Sequence, residues 1–357
     1  MPGHVVARGP GVDVVVRLSG DAALSEHVGR ALESLSALPT MPPREQSAFD
    51  VYADVDAAPR VLDRVVAAVN ARVVSYLGRT QTALHAGAVQ SGTATVVLPA
   101  PTGAGKSTLV AGLVREGWRY LTDEAVLLDR GLTAHPYPKP LSVEPGSQGL
   151  FTDLRDPPFR GTTSWYLRPM DLTADWRAVP ARPSVVLLPE WAPGRVGSVE
   201  PLTPGHAVMA LATRVFAFGD HPVRHLERLV RLARSVPVAR IRYPDLATGC
   251  RLVRECTTGL SAVPAQTVPP GPLVHATDDG LLESVLGGEV VVYDRHAGSL
   301  YLLDATGADG PVDALVDPSS ATKVTDPDIA EVQGVHDHTV PSIRTPNDTA
   351  DPTGRSS

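Results

Sequence analysis

The stretch Ala100-Pro101-Thr102-Gly103-Ala104-Gly105-Lys106-Ser107-Thr108 constrains this chain more than any other. It follows the apolar run Thr95-Val96-Val97-Leu98-Pro99 and opens a helical pattern from Leu109 to Glu116. Strand, glycine loop and helix, in that order, make a phosphate-binding loop. Backbone N–H groups at such a helix N-terminus point at an anion. Gly103 and Gly105 let the backbone come close to it. Lys106 can reach the terminal phosphates, and Ser107 can hold Mg²⁺ through its hydroxyl. The pattern G-x-x-x-x-G-K-[ST] is met except at its first position, where Ala100 stands for glycine. The competing reading is a bare glycine-rich turn; the strand before and the helix after favour a nucleotide site. Thr102, Gly103, Ala104, Gly105, Lys106, Ser107 and Thr108 are therefore the expected contacts to ATP.

Lysine is scarce here: Lys106, Lys139 and Lys323 are the only three. Lys106 stands where a compact ammonium suits a phosphate. Lys139, in Tyr137-Pro138-Lys139-Pro140, is either a second functional cation or a solvated loop lysine. A formal charge of −7 over 357 residues argues against a general nucleic-acid or membrane-surface binder. Arg224, Arg228, Arg231 and Arg234 have the spacing of the solvated face of one amphipathic helix. No window approaches the ~18 apolar residues of a membrane span, and Met1-Pro2-Gly3-His4 does not start a signal peptide. Cys250 and Cys256 fit neither a zinc knuckle nor a redox pair, so a cytoplasmic location is the expectation.

The length fits two or three domains. Val12–Leu18 reads as a strand, Asp21–Leu38 as a helix, Phe49–Val55 as a strand and Ala58–Leu77 as a second helix. This small N-terminal α/β unit, residues 1–80, shows no chemistry of its own. Residues 81–262 read as a nucleotide-binding α/β core, with strands at Leu84–Val89, Trp118–Leu121, Ala125–Asp129 and Ser184–Pro189. Helices are expected over Ala207–Phe218 and His221–Ala233, and ligands at the carboxyl ends of strands. Residues 263–272 are a Pro-rich linker by composition. In 273–322, Leu281–Leu286 reads as a short helix, Glu289–Asp294 and Ser299–Asp304 as a hairpin, and Asp313–Val316 as a helix start. Residues 323–357 read as a disordered tail.

A phosphate loop needs a partner acid. Asp123-Glu124 follows the strand after the loop helix, where a carboxylate can orient the metal or take a proton from an acceptor hydroxyl. The alternative is that Asp123 merely caps a turn. His85 precedes the loop strand and would lie at a neighbouring strand end, either as a site residue or as a core histidine.

Leu84-His85-Ala86-Gly87-Ala88-Val89, the loop from Ala100 to Thr108, and Gly117-Trp118-Arg119-Tyr120-Leu121-Thr122-Asp123-Glu124 together resemble the HPr serine kinase family, whose phosphate-loop core is shared with the carboxykinases. The resemblance covers roughly residues 80–250. It implies that Lys106 and Ser107 bind phosphates and Mg²⁺, that His85 is the family's histidine ahead of the loop, and that Asp123 is the suspected base. Glu124 would be a second metal-site acid; the family's pair is Asp-Asp. The family's later glycine-rich signature is absent, which sets the chain nearer the divergent HPr-kinase-related group. A second resemblance, over Gly288–Ala308, is to PqqD-like domains. It implies a small winged-helix-type unit that adds a leader peptide as a strand.

The expected fold is thus α/β: an HPr kinase/carboxykinase-like core between a small N-terminal α/β unit and a PqqD-like C-terminal unit. The expected function is an ATP- and Mg²⁺-dependent kinase acting on a Ser or Thr hydroxyl of a ribosomally made precursor peptide. The alternatives are a small-metabolite hydroxyl kinase and a non-catalytic nucleotide-binding regulator. A leader peptide is the expected partner, with neither nucleic acid nor membrane, and a homo-oligomer is left open.

Overall fold

The computed structural model describes residues 3–9, 12–19, 22–36, 45–52, 58–154, 156, 158–259, 273–304 and 322–325. The chain begins with β1 (Gly3–Gly9), β2 (Val12–Ser19), α1 (Ala22–Ala31), α2 (Glu33–Ser36), β3 (Glu45–Tyr52) and α3 (Ala58–Gly78). β2 pairs antiparallel with β1 and parallel with β3. A parallel pair needs a crossover, and α1 and α2 lie within it. The helix expected over Asp21–Leu38 is therefore these two pieces. In α3, Val61, Leu62, Val65, Val66, Val69, Val73 and Leu77 are buried at helical spacing. Asn70 is the polar member of that buried set.

Next come β4 (Thr82–Ser91), β5 (Ala94–Pro99), α4 (Lys106–Arg115), β6 (Arg119–Thr122), β7 (Ala125–Leu128), β8 (Ala134–His135), β9 (Leu141–Val143) and α5 (Pro145–Gln148). They are followed by β10 (Phe159–Arg160), β11 (Trp165–Leu167), α6 (Pro169–Leu172), β12 (Val185–Trp191), β13 (Ser198–Pro201), α7 (Pro204–Ala212), α8 (Pro222–Ser235), β14 (Val238–Tyr243) and α9 (Leu246–Gly259). The eight-stranded sheet runs β13-β14-β12-β5-β4-β7-β8, with β6 also on β4. β5, β12 and β14 are parallel. β4 is antiparallel to β5, and β6 and β7 are antiparallel to β4.

α4 ends as the sequence suggests. Gly117, at φ +92°, follows the C-cap Glu116. Its N–H bonds Val114 O at 3.0 Å and the Trp118 N–H bonds Leu113 O at 3.1 Å, the paired bonds of a Schellman motif. α7 stops at Ala212, six residues short of the expected Phe218. Beyond it the chain pairs with β4: the His85 N–H bonds Arg214 O at 2.6 Å and the Phe216 N–H bonds Ala83 O at 2.9 Å. The arginines of α8 are not simply a solvated face. Arg224 donates to the carbonyls of Gly78 and Arg79, and Arg228, 8% exposed, donates to Thr80 O and Leu128 O. Arg224 thus satisfies carbonyls that end α3.

The C-terminal sheet is β15 (His275–Ala276), β16 (Leu281–Leu286), β17 (Glu289–Asp294), β18 (Ser299–Asp304) and β19 (Thr322–Thr325), in that order. The β17–β18 hairpin is as expected, but Leu281–Leu286 is a strand and not a helix. It pairs with β17 along its whole length, so cross-strand pairing overrides its helical spacing. β19 takes Lys323, Val324 and Thr325 out of the expected tail and onto β18. The linker at 263–272 and the helix start at Asp313–Val316 lie outside the described residues.

Leu273, Leu282, Leu286, Val291, Tyr293, Leu300 and Leu302 share one apolar cluster with Val208, Leu211, Leu226 and Leu229 of α7 and α8. Glu289 locks the contact, accepting hydrogen bonds from the Gly205 N–H and the Thr203 hydroxyl at the start of α7. Each buried Leu or Val side chain contributes about 1.5–3 kcal/mol. Deleting residues 273–357 is therefore expected to leave an unstable, aggregating remainder. Soluble expression and a thermal melt of the truncated chain check this; a soluble protein melting within a few degrees of full length would show a free-standing core.

Candidate active site

The carboxyl end of β5 runs into the loop from Ala100 to Gly105, and Lys106 opens α4. Gly105 is left-handed at φ +82°, and a Cβ there would lie 3.2 Å from the Tyr243 hydroxyl at the end of β14. Ala100 is buried and is not among the positive-φ residues, so its position does not demand glycine. The N-cap Gly105 offers no side-chain cap. The amides of Lys106, Ser107 and Thr108 have no intrahelical acceptor and face outward. Amides so placed at the positive end of a helix can cradle an anion. Thr108 is held in place by its hydroxyl, which donates to Ser147 Oγ at 2.8 Å.

Gly87 brings β4 and α4 together. A Cβ there would meet Val110 Cγ2 at 2.5 Å and Lys106 Cγ at 3.4 Å. β6 and β7 both pair with β4, and the chain kinks outward between them at Asp123-Glu124. Thr122 Oγ1 accepts from the N–H groups of Glu124 and Ala125 and so shapes the kink.

The two acids take different places. Asp123 is fully buried. Its Oδ1 lies 2.9 Å from Lys139 Nζ and accepts from the Tyr120 hydroxyl at 2.8 Å, and its Oδ2 accepts from the Ser142 N–H at 3.1 Å. Burial pushes its carboxyl up, but Lys139, Lys106 and these hydrogen bonds outweigh burial and hold it below the usual carboxylate range. Glu124 instead lines a cleft of about 250 Å³ together with His85, Thr102, Gly103, Gly105, Lys106, Ser107 and Thr108. Asp123 and Ala104 are not among its lining residues.

Lys139 is not the solvated loop lysine that one reading allowed. It is 2% exposed, paired with Asp123 and 3.8 Å from Glu124 Oε2, and it lines the cleft. Lys106 is also buried, and its ammonium donates to Asp123 O at 2.8 Å. Burial pushes its pKa down, against the pull of Glu124 and Asp123. His85 is 3% exposed, with Nε2 3.8 Å from Glu124 Oε1 and no hydrogen-bond partner at Nδ1. Burial, then Lys106 and Arg214, push its pKa down to about 2. It is a neutral imidazole, able to hydrogen-bond but not to supply positive charge.

The wall facing the loop comes from segments the sequence left without a role. Asp63, Val66, Ala67 and Asn70 of α3 line the cleft, as do Ser142, Glu144, Ser164 and Tyr166. Asp63 ties the two sides together, accepting from Tyr166 Oη at 2.7 Å and from the Thr162 N–H at 2.8 Å. The one signal in the sequence is Asn70, a polar residue within the apolar stripe of α3.

His225, 1% exposed, has its pKa pushed down to about 3, by burial first and Arg224 next. Both His85 and His225 are neutral in the fold, while an unfolded histidine takes up a proton near pH 6.5. Their contribution to stability is complete above that pH and is lost as pH falls toward 3. At pH 5 the loss is about 2 kcal/mol for each ring. Urea midpoints at pH 7.5 and pH 5 measure it; equal midpoints would mean that both rings accept protons within the fold.

Among the described residues, no group of three or more His, Cys, Asp or Glu is placed to hold a metal ion, and no helix is long and apolar enough to cross a membrane. No protein-family model matches the chain, and no curated protein matches it.

Proposed function

We propose that the chain is an ATP-dependent phosphotransferase that moves a γ-phosphoryl group from Mg²⁺–ATP to an acceptor hydroxyl. The observation that carries this is one cleft in which the N-terminus of α4, with Lys106 and Ser107, faces the open carboxylate of Glu124. The α4 amides and Lys106 suit the β- and γ-phosphates, and the Ser107 hydroxyl suits a Mg²⁺ shared with those phosphates. In the transfer, the bond from the γ-phosphorus to the β–γ bridging oxygen breaks and ADP leaves. A new P–O bond forms to the acceptor oxygen, whose proton passes to a carboxylate. We assign that proton to Glu124, because Asp123 has its oxygens occupied by Lys139, Tyr120 and Ser142. Asp123 then serves as the counter-charge that keeps Lys139 beside Glu124.

For the acceptor, the geometry supports the small-metabolite reading over the precursor-peptide one. A leader peptide needs a free strand edge. On the C-terminal sheet, β19 occupies the outer edge of β18, so a peptide would have to add to the four-residue β19 and not to the hairpin itself. β16 is covered at one end by β15 and at the other by Arg234, which donates to Val285 O at 3.0 Å. The test is ATP binding by calorimetry, followed by transfer of label from γ-labelled ATP in the presence of Mg²⁺. Binding at micromolar ATP with label in a phosphoproduct is expected. A protein that binds no ATP, or binds it and transfers nothing to peptide or small alcohol, overturns the reading.

A further inference from the structure

A second cavity, of about 350 Å³, lies beside the cleft along the C-terminal half of α3. One helix face lines both. Asp63, Val66, Ala67 and Asn70 face the cleft, and Asn70, Ala71, Val74, Ser75 and Gly78 face the cavity. Steps of three and four residues keep these positions on one side of a helix. The two spaces meet at Asn70, and beside it the His85 ring of the cleft packs on the Phe216 ring of the cavity, 5.6 Å between centroids. Exposed Ala71 and Ser75 lie at the cavity's mouth, while Asn70 and His225 are buried at its floor.

Two polar atoms at this junction are unanswered. Asn70 Oδ1 and His85 Nδ1 are buried without a hydrogen-bond partner, in side chains 5% and 3% exposed. A buried polar group without a protein partner is costly, and a water or ligand that answers it removes that cost. Opposite α3 the wall is mixed: Phe216 and Ala217 are apolar, and Asp220, His221 and His225 are polar, with Arg79 beyond the end of α3. Ala217 holds a left-handed φ of +51°, which alanine rarely adopts.

We infer that this second cavity is the acceptor chamber, built for a small ring-bearing alcohol. Its body lies between Phe216 and α3, its donors meet Asn70 Oδ1, and its reacting hydroxyl passes His85 toward Glu124. The volume is at the lower end of the roughly 300–1,000 Å³ of small-molecule sites. The mixed wall suits a ring with an apolar face better than a polyol. Nucleotide and acceptor then enter from different sides and meet at Glu124. This assignment rests on the kinase reading, and the experiment separates the two.

The probes are uridine and pyridoxine as ring-bearing alcohols, myo-inositol as a polyol, and an acetylated Gly-Ser-Gly amide as a peptide. Binding is read by saturation-transfer NMR and turnover by ADP release with Mg²⁺–ATP. The variants are Ala71→Trp, which fills the mouth, and Asn70→Leu, which removes the unpartnered oxygen. At least one ring alcohol is expected to bind and turn over. Both variants should raise its KM tenfold or more, and Ala71→Trp, which lies outside the nucleotide cleft, should leave the Kd for ATP within twofold. Asn70→Leu should melt no lower than wild type, because the site loses a polar atom that has no partner in the fold; a merely structural asparagine would lower the melting temperature. Ring-alcohol binding lost in the variants, with no turnover in wild type, keeps the chamber and removes the kinase. Turnover of the peptide or inositol alone, a KM unchanged by both variants, or binding of no probe by a protein that binds ATP overturns the chamber.

Discussion

Replacing Lys106 by methionine is expected to lower phosphoryl transfer by at least about a thousandfold, the scale of losing one cation from a phosphoryl-transfer site. The fold should keep its stability within about 1 kcal/mol. A phosphate-binding lysine at the surface would make the second expectation trivial, but Lys106 is only 6% exposed. Two effects oppose each other instead. The variant loses the hydrogen bond from Lys106 Nζ to Asp123 O, a bond of 2.8 Å. It also removes a charge that burial penalises. Methionine keeps the aliphatic stem on which the close approach at Gly87 rests. A coupled ADP assay and a thermal melt on the same preparation separate the outcomes. Wild-type turnover by a well-folded Lys106→Met protein would place the chemistry elsewhere.

The strand, glycine loop and helix from Ala94 to Arg115 were legible because their signals are local. A strand, two glycines with positive φ and a helix start all fall within a dozen residues, and each constrains the backbone directly. The same holds for Gly117 and for the β17–β18 hairpin. What the sequence did not disclose are relations between distant segments. Helix and strand spacings overlap in a run as short as Leu281–Leu286, and only pairing with β17 decides between them. Arg224 and Arg228 have the spacing of a solvated face, yet the carbonyls at the end of α3 draw them inward. Asn70 and Glu124 share a cleft although neither motif nor spacing links them.

The clearest case is Lys139. Two prolines around it look like a loop in solvent, and composition alone could not decide. Asp123 decides it: a buried carboxylate with only a hydroxyl and an amide for company would be costly, and an ammonium at 2.9 Å offsets that cost. The pair Asp123-Glu124 is read from the sequence as one acidic kink, but the fold gives its members opposite surroundings. That is the origin of the second large effect.

Glu124→Gln is expected to lower kcat by about two to four orders of magnitude, the range for loss of a positioned general base, with the melting temperature nearly unchanged. Among the described residues, Glu124 forms no ion pair closer than 3.8 Å, so little of the fold depends on its charge. Asp123→Asn should do the reverse. It leaves the Lys139 ammonium buried opposite a neutral amide, and breaking a buried pair costs about 3–5 kcal/mol. The proximity of Glu124 to Lys139 sets the expectation at about 3 kcal/mol, the lower end of that range. Adding Lys139→Met to Asp123→Asn should restore most of this stability, because no uncompensated charge is then buried. Urea denaturation of the single and double variants yields the coupling energy, and kcat on the same proteins yields the catalytic share. A stable but inactive Asp123→Asn protein, beside an active Glu124→Gln protein, would exchange the two roles and make the buried aspartate the base.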